Sequence, residues 1–227
     1  MTTAEGRHDG PRTATSLSGM SEQVVRDAAS LRRLVAAPVP RVAAKVRSEL
    51  GPVDLDFLAR SPFCIVATSD VDGNADASPK GDPPGFCHVL DERTIAIPER
   101  AGNRRLDGYL NVLTNPHVGL VFLVPGRGDT LRINGTATVV SDADWFSELR
   151  VNDTPPLLAL KVAVEEVFFH CSKAFLRSRL WNPESWDPQG APSPATILRT
   201  VLPADDPLVE RADRGGDFSD QELYPTP

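Results

Sequence analysis

Three arginines, Arg100, Arg104 and Arg105, fall within six residues and flank Gly102 and Asn103, in a chain whose net charge is −7. A guanidinium presents forked donors that suit phosphate or carboxylate oxygens. Gly102 permits a tight turn, and Asn103 brings both a donor and an acceptor. Leu106, Leu110 and Leu113 then recur at helical spacing, so residues 106–113 are expected to form a helix with Asn103 as its cap. A helix N-terminus beside two adjacent guanidinium groups is suited to holding a phosphate. A solvated basic turn is the competing reading. Upstream, Thr94, Ile95, Ala96 and Ile97 read as a buried strand, and Pro98 is expected to end its regular pairing, with Glu99 just beyond.

Residues 170–186 hold the second unusual stretch, with His170, Lys173, Arg177, Trp181 and Trp186 close together. Residues 172–180 read as a helix, on which Lys173 and Arg177 share a face at i, i+4. Those two cations either meet an anionic ligand or pair with Glu165 and Glu166. The tryptophans fit a core role better than ligand stacking. His170 fits a structural histidine at a strand end, and His88 and His117 fall in strands with no carboxylate or second histidine at ligand spacing, so no metal site is expected. Cys64, Cys87 and Cys171 are odd in number and show no C-x-x-C spacing, which argues against a disulfide framework and for the cytosol.

With 227 residues, 41% of them hydrophobic and 24% charged, the chain can bury a sizeable core. Its acidity is uneven: residues 203–227 carry seven acids against two bases, leaving the remainder close to neutral. An isolated arginine pair is not the basic stripe that nucleic acid requires. No apolar run approaches a membrane span, and the first residues lack the apolar stretch of a signal peptide.

The elements that must position these residues follow from hydrophobic pattern. Residues 1–20 read as disordered and 21–52 as N-terminal helices: Ser21 is expected to cap a helix striped by Val24, Ala28, Leu31 and Val35, and Val42, Val46 and Leu50 to mark a second one closed by Gly51-Pro52. Residues 53–186 form the strand-rich domain. Strands are expected at 63–68, at 75–80 as the return strand of a hairpin, and at 86–90, 94–97, 118–124, 130–140 and 157–169, separated by turn sequences, DVDGN among them. Ser141 with Asp144 resembles a capping box for a short helix through Leu149. About six strands in hairpin order, with helices inserted after the fourth and fifth, predict a mainly β antiparallel barrel with flanking helices. Residues 187–227 read as a Pro-rich and acidic tail, with 196–201 forming a last helical turn or edge segment.

The order DASPKG, TIAIPERAGNRRLD, a helix to Asn115-Pro116, then VGLVFLVPGRGDTLRINGTA resembles the pyridoxamine 5′-phosphate oxidase-like family, and HCSKAFLRSRLW resembles a subgroup of its uncharacterised bacterial members. The likeness covers about residues 55–186. It implies a six-stranded antiparallel split β-barrel, a homodimer with FMN at the subunit interface, and an oxidoreductase acting on a small molecule. By the same likeness, Asn103, Arg104 and Arg105 match the family's Ser-Arg-Lys phosphate clamp, and Lys80 the basic residue ending the strand along the flavin, where it would oppose negative charge at N1/O2. Pro98 and Glu99 match the pair whose backbone faces the ring, and Ser78 and Pro79 match positions beside it. Thr130 stands where the family places a Gln. Lys173 and Arg177 are candidates to reach the FMN phosphate or ribityl chain from the partner subunit, and Trp181 is a candidate to stack on the flavin. The Arg-x-His motif of the true oxidase is missing from residues 182–227, so oxidation of pyridoxamine phosphate is not the reaction expected first. The deazaflavin F420 in place of FMN, or a non-catalytic flavin or haem carrier, are the alternatives on the same barrel.

Overall fold

A computed structural model describes residues 22–215, so the expected segment 1–20, the Ser21 cap and the end of the acidic tail lie outside the described residues. The chain divides into two compact units, Met1–Val42 and Ala43–Pro227. In the first, α1 (Ala28–Leu34) is capped by Asp27, whose carboxylate accepts the Ser30 N–H at 2.7 Å. Its expected apolar stripe is not buried: Val24, Leu31 and Val35 are exposed.

The helix expected through Val46 and Leu50 does not form. A short α2 (Pro40–Ala43) ends before it, and Arg47 pairs by its backbone with Val167. Gly51-Pro52 starts a helix where a stop was expected. Pro52 occupies the first position of α3 (Pro52–Leu58), where its missing N–H costs nothing. The Asp54 carboxylate accepts the Gly51 N–H at 2.7 Å and is fully buried beneath Arg47, which donates to both of its oxygens at 2.6 and 2.8 Å.

Seven strands follow, one at each segment read from the sequence: β1 (Phe63–Ser69), β2 (Ala75–Gly81), β3 (His88–Asp91), β4 (Thr94–Glu99), β5 (His117–Leu123), β6 (Thr130–Val140) and β7 (Leu158–His170). They make one antiparallel sheet in the order β2-β1-β5-β6-β7-β4-β3. Its two edge strands stay unpaired, so the barrel is split rather than closed. Pro98 does not end β4: pairing with β7 continues through Pro98↔Ala159 and Glu99↔Leu158. β3 reaches only Ala96, so beyond that point one side of β4 is a free edge, where proline is tolerated.

β6 and β7 form a long ribbon. β5 pairs along one part of β6, and β4 pairs along the opposite end of β7. A bulge at Asn134/Gly135 bends the ribbon between those halves. Gly135 is required there, because a Cβ would stand 1.9 Å from the Ala163 carbonyl oxygen. The inward residues Val66, Ile95, Ile97, Leu120, Phe122, Leu131, Ile133, Leu160 and Val162 are all buried and belong to one core.

α4 (Asp107–Thr114) follows β4 as expected, but the other helical insertion comes after the sixth strand and not the fifth. It is a 3-10 helix over Asp144–Leu149 that starts at Ala143 with no side-chain cap, so the expected capping box is not made. Past β7, α5 (Lys173–Ser178) matches the expected helix. The acidic tail holds more structure than its composition suggests. α6 (Pro194–Leu198) and α7 (Pro207–Asp213) pack together, burying Ala195 and Val209.

Candidate functional site

β2 alternates chemistry with period two. Asp76, Ser78 and Lys80 are half-buried, whereas Ala77 and Pro79 are exposed. Facing them are Glu99 at the end of β4, Asn103 and Arg105 in the loop, and Asp107, Gly108 and Tyr109 at the start of α4. With Val66 and Leu160 as apolar lining, these residues surround a cavity of about 200 Å³. β2 and β4 lie far apart in the sheet order, yet Lys80 ion-pairs with Glu99. The coiling of the sheet therefore carries one edge over the other half.

α4 is tied down close to β1. Asn111 Nδ2 donates to Thr68 Oγ1 at 3.1 Å, and Asn115 Nδ2 to Ser69 Oγ at 3.1 Å. Gly108 allows this approach, since a Cβ there would meet Asp76 Oδ2 at 3.1 Å and Thr68 Oγ1 at 3.4 Å. The buried face of α4 is Tyr109 and Val112, one position off the expected stripe. Leu106, Leu110 and Leu113 are exposed instead. Asn103 is not the cap: Leu106 holds that position with φ 55°, and Asn103 Oδ1 accepts the Arg105 N–H at 3.1 Å. Arg104 is also left-handed, with φ 62°. Two non-glycine residues in this region of backbone space mark a strained loop, a feature that clusters at ligand sites.

The expected clamp divides. Arg105 lines the cavity, and its Nε donates to Asp107 Oδ2 at 2.7 Å; that hydrogen bond, with the Asp107 charge, raises the Arg105 pKa. Arg104 is exposed and does not line the cavity. Arg100 points elsewhere, donating to Asp82 at 2.8 Å and to the Leu149 carbonyl at 2.5 Å.

Lys80 and Glu99 form a different kind of pair, each side chain only about 15% exposed. The Lys80 ammonium also lies 5.2 Å from the centre of the Tyr109 ring. Tyr109 is 5% exposed, and its buried hydroxyl lies against the Glu99 carboxylate, its nearest acceptor. Burial first, and the Glu99 charge second, push its phenol well above the usual tyrosine range. The phenol therefore keeps its proton and can act as a donor. The same end of the barrel holds Cys64, opposite Lys80 in the β1–β2 register. Burial pushes that thiol up to about 12, with Lys80 opposing the shift.

Ser78, Pro79, Lys80, Glu99, Asn103 and Arg105 thus come together as expected, and Pro98 is buried in the strand behind them. Thr130 is buried at the start of β6 opposite His170, away from the cavity lining. Lys173 and Arg177 are exposed on α5, and neither pairs with Glu165 or Glu166; the Glu166 carboxylate accepts from Asn134 Nδ2 at 2.7 Å. Trp181 stacks on Phe175 at 5.9 Å and donates to the Arg127 carbonyl at 2.6 Å, which pins α5 to the β5–β6 turn. Trp186 is exposed rather than core. Sequence reasoning missed Asp76, Asp107 and Tyr109 as lining residues. The period of β2 from Ser78 and Lys80 reaches Asp76, and one helical turn from Arg105 reaches Tyr109.

Residues 50–171 match the family model described as pyridoxamine 5′-phosphate oxidase. The match ends at Cys171, so most of the 170–186 motif lies beyond it. No curated protein matches the chain at a significant level. Among solved structures, it is similar to HupZ of Group A Streptococcus (20% identity, TM-score 0.44, over 54% of this chain and 95% of that one). It is also similar to an FMN-binding protein from Syntrophomonas wolfei subsp. wolfei (12%, TM-score 0.39, 52% and 88%) and to an F420 reductase (17%, TM-score 0.37, 51% and 94%).

Proposed function

The chain belongs to the pyridoxamine 5′-phosphate oxidase family, and we propose that it is an FMN-binding oxidoreductase acting on a small organic molecule. The observation that carries this reading is the cavity between β2 and α4, where two cations, Lys80 and Arg105, share the lining with apolar Val66 and Leu160. Val66 and Leu160 supply apolar surface for a flat ring, and Lys80 supplies positive charge opposite an electron-rich ring edge. Arg105 and Asn103 suit the phosphate. The bound flavin supplies the hydride or electron chemistry.

The charge balance of the lining bears on how an anion enters. Asp76, Glu99 and Asp107 outnumber Lys80 and Arg105. A phosphate therefore has to draw Arg105 away from Asp107 and recruit Arg104 from solvent. An exposed ion pair of this kind contributes little, so the exchange is inexpensive.

Small-molecule sites usually enclose about 300–1,000 Å³, more than the cavity of about 200 Å³ in one chain. We take a second copy of the chain to complete it. The exposed face of β1 and β2 supports this, because Ile65 lies opposite Pro79 and Ala67 opposite Ala77 in a smooth apolar strip beside the cavity. Lys173, Arg177 and Trp181 would then act from the partner. No histidine among the described residues lines the cavity, which favours flavin over haem.

The test is the visible spectrum of the purified protein, followed by titration with FMN, riboflavin and F420 in parallel, with mass in solution from light scattering. A yellow dimer, or a colourless one that takes up FMN in preference to the others, is expected. A protein that binds none of the three overturns the reading, and preference for F420 reassigns the cofactor.

A further inference from the structure

The register of the sheet lays two rows of side chains across its outer face, opposite the core. One row runs from β2 to β7 through Pro79, Ile65, Val121, Arg132 and Phe168. The row beside it runs through Ala77, Ala67, Gly119, Asn134 and Glu166. Over β2, β1 and β5 this face is wholly apolar or small, and Ile65 at its middle is exposed. Small side chains on a smooth face let a second sheet approach closely.

The β6–β7 end of the face carries charge. Arg132 is half-buried, with its guanidinium 5.1 Å from the centre of the Phe168 ring, and it makes no ion pair with any described residue. Glu166 stands diagonally across from it on β7, within reach of a cross-strand pair. Its carboxylate instead accepts from Asn134 Nδ2 at 2.7 Å. A cation and an anion side by side, neither with a counter-ion, are complementary to the same pair turned by half a rotation.

We propose that a second copy of the chain covers this face, sheet against sheet about a twofold axis, with Arg132 of each copy meeting Glu166 of the partner subunit. The proposal rests on the second copy invoked for the cavity, and names the surface and the contact that place it. An acidic partner would leave Glu166 facing like charge, and a basic one would do the same to Arg132. A surface carrying both answers both. The face ends on β2, whose Ser78 and Lys80 line the cavity from the opposite side, so the docked copy stands at the cavity's edge.

Light scattering and sedimentation of the full chain test this. The wild type should be a dimer, and Arg132→Glu and Glu166→Arg should each be folded monomers. Self-association should fall about a hundredfold or more, because each reversal sets like charges together in a desolvated contact. Mixed in equal amounts, the two single variants should associate, since each offers the charge that the other lacks. An ion pair closed within one chain could not give that rescue. A monomeric wild type, single variants that stay dimeric, or a mixture that fails to associate each overturns the proposal. Should a reversal unfold the chain, Ile65→Asp probes the face independently: a folded monomer is expected, and a dimer as tight as the wild type overturns the docking surface. FMN titration of the same samples separates the two readings. A dimer that binds no flavin overturns the cofactor alone, and a monomer that binds it overturns the interface alone.

Discussion

Two ion pairs border the same cavity and behave as different materials. Lys80–Glu99 joins β2 to β4, is about 85% buried on both sides, and has an aromatic ring beside its cation. Arg105–Asp107 lies within one loop, with the arginine 74% exposed. The first links parts of the chain that only the coiled sheet brings together, and breaking it strands a carboxylate away from water. The second spans two residues and is bathed in solvent, so its partners exchange at little cost. One end of the cavity is thus a fixed wall and the other an adjustable clasp. On the flavin reading, that division suits a rigid ring at one end and a flexible phosphate tail at the other.

The largest test of the contrast strikes the bend that folds one half of the sheet over the other. Gly135→Ala drives a methyl into the Ala163 carbonyl. It should cost about 3 kcal/mol or more in urea unfolding, beyond ordinary overpacking because the clash is with backbone. A loss under about 1 kcal/mol would show that the bulge does not set the corner.

Lys80→Met should follow, costing about 2–3 kcal/mol by leaving Glu99 unpaired in a half-buried place. Asp107→Asn at the clasp should leave the urea midpoint unchanged within error. Equal losses for the two would erase the distinction between wall and clasp.

The wall also titrates. Burial holds the Cys64 thiol at about 12 in the folded chain, against about 8.5 when unfolded. Its contribution is complete below the unfolded value and is lost as pH rises from there through the folded one. Each such group removes up to about 1.4 kcal/mol per pH unit. Cys87 and Tyr109, raised chiefly by burial, act in the same direction. Stability should therefore decline above about pH 9, and Cys64→Val should flatten the decline measurably. A flat stability profile to pH 11, reached as the unfolded thiols ionise, would contradict the burial argument.

The smallest effects belong to the clasp. Arg105→Ala should weaken FMN about tenfold, the loss of one charge-assisted bond. Arg104→Ala, outside the cavity lining, should weaken it less, about two- to threefold. The reverse order in a titration would mean that Arg104, once drawn in from solvent, and not Arg105 is the main phosphate ligand.

Much of this was legible beforehand, and the errors were local. β1 and β5 declared themselves as apolar runs, β6 by its alternation, and the loop after β4 by its arginines. The phase of α4 was misread because Leu106, Leu110 and Leu113 outweigh Tyr109 and Val112 in hydrophobicity, yet they face outward. Gly51-Pro52 was misread because the same pair that ends one helix can start another; the buried Asp54 two residues on decides for a start. Pro98 was misread because its tolerance depends on how far β3 runs alongside.

The amino-acid sequence by itself determined the strands, the loop chemistry and the family, since these rest on local pattern and on motif order along the chain. Only the tertiary structure decided that Lys80 meets Glu99, that Arg104 stands outside while Arg105 lines the cavity, and that the Tyr109 phenol is buried beside both Lys80 and Glu99. Those are contacts across a coiled sheet, fixed by a bulge and two close-packed glycines. No periodicity in one strand or helix encodes which distant side chain will stand opposite.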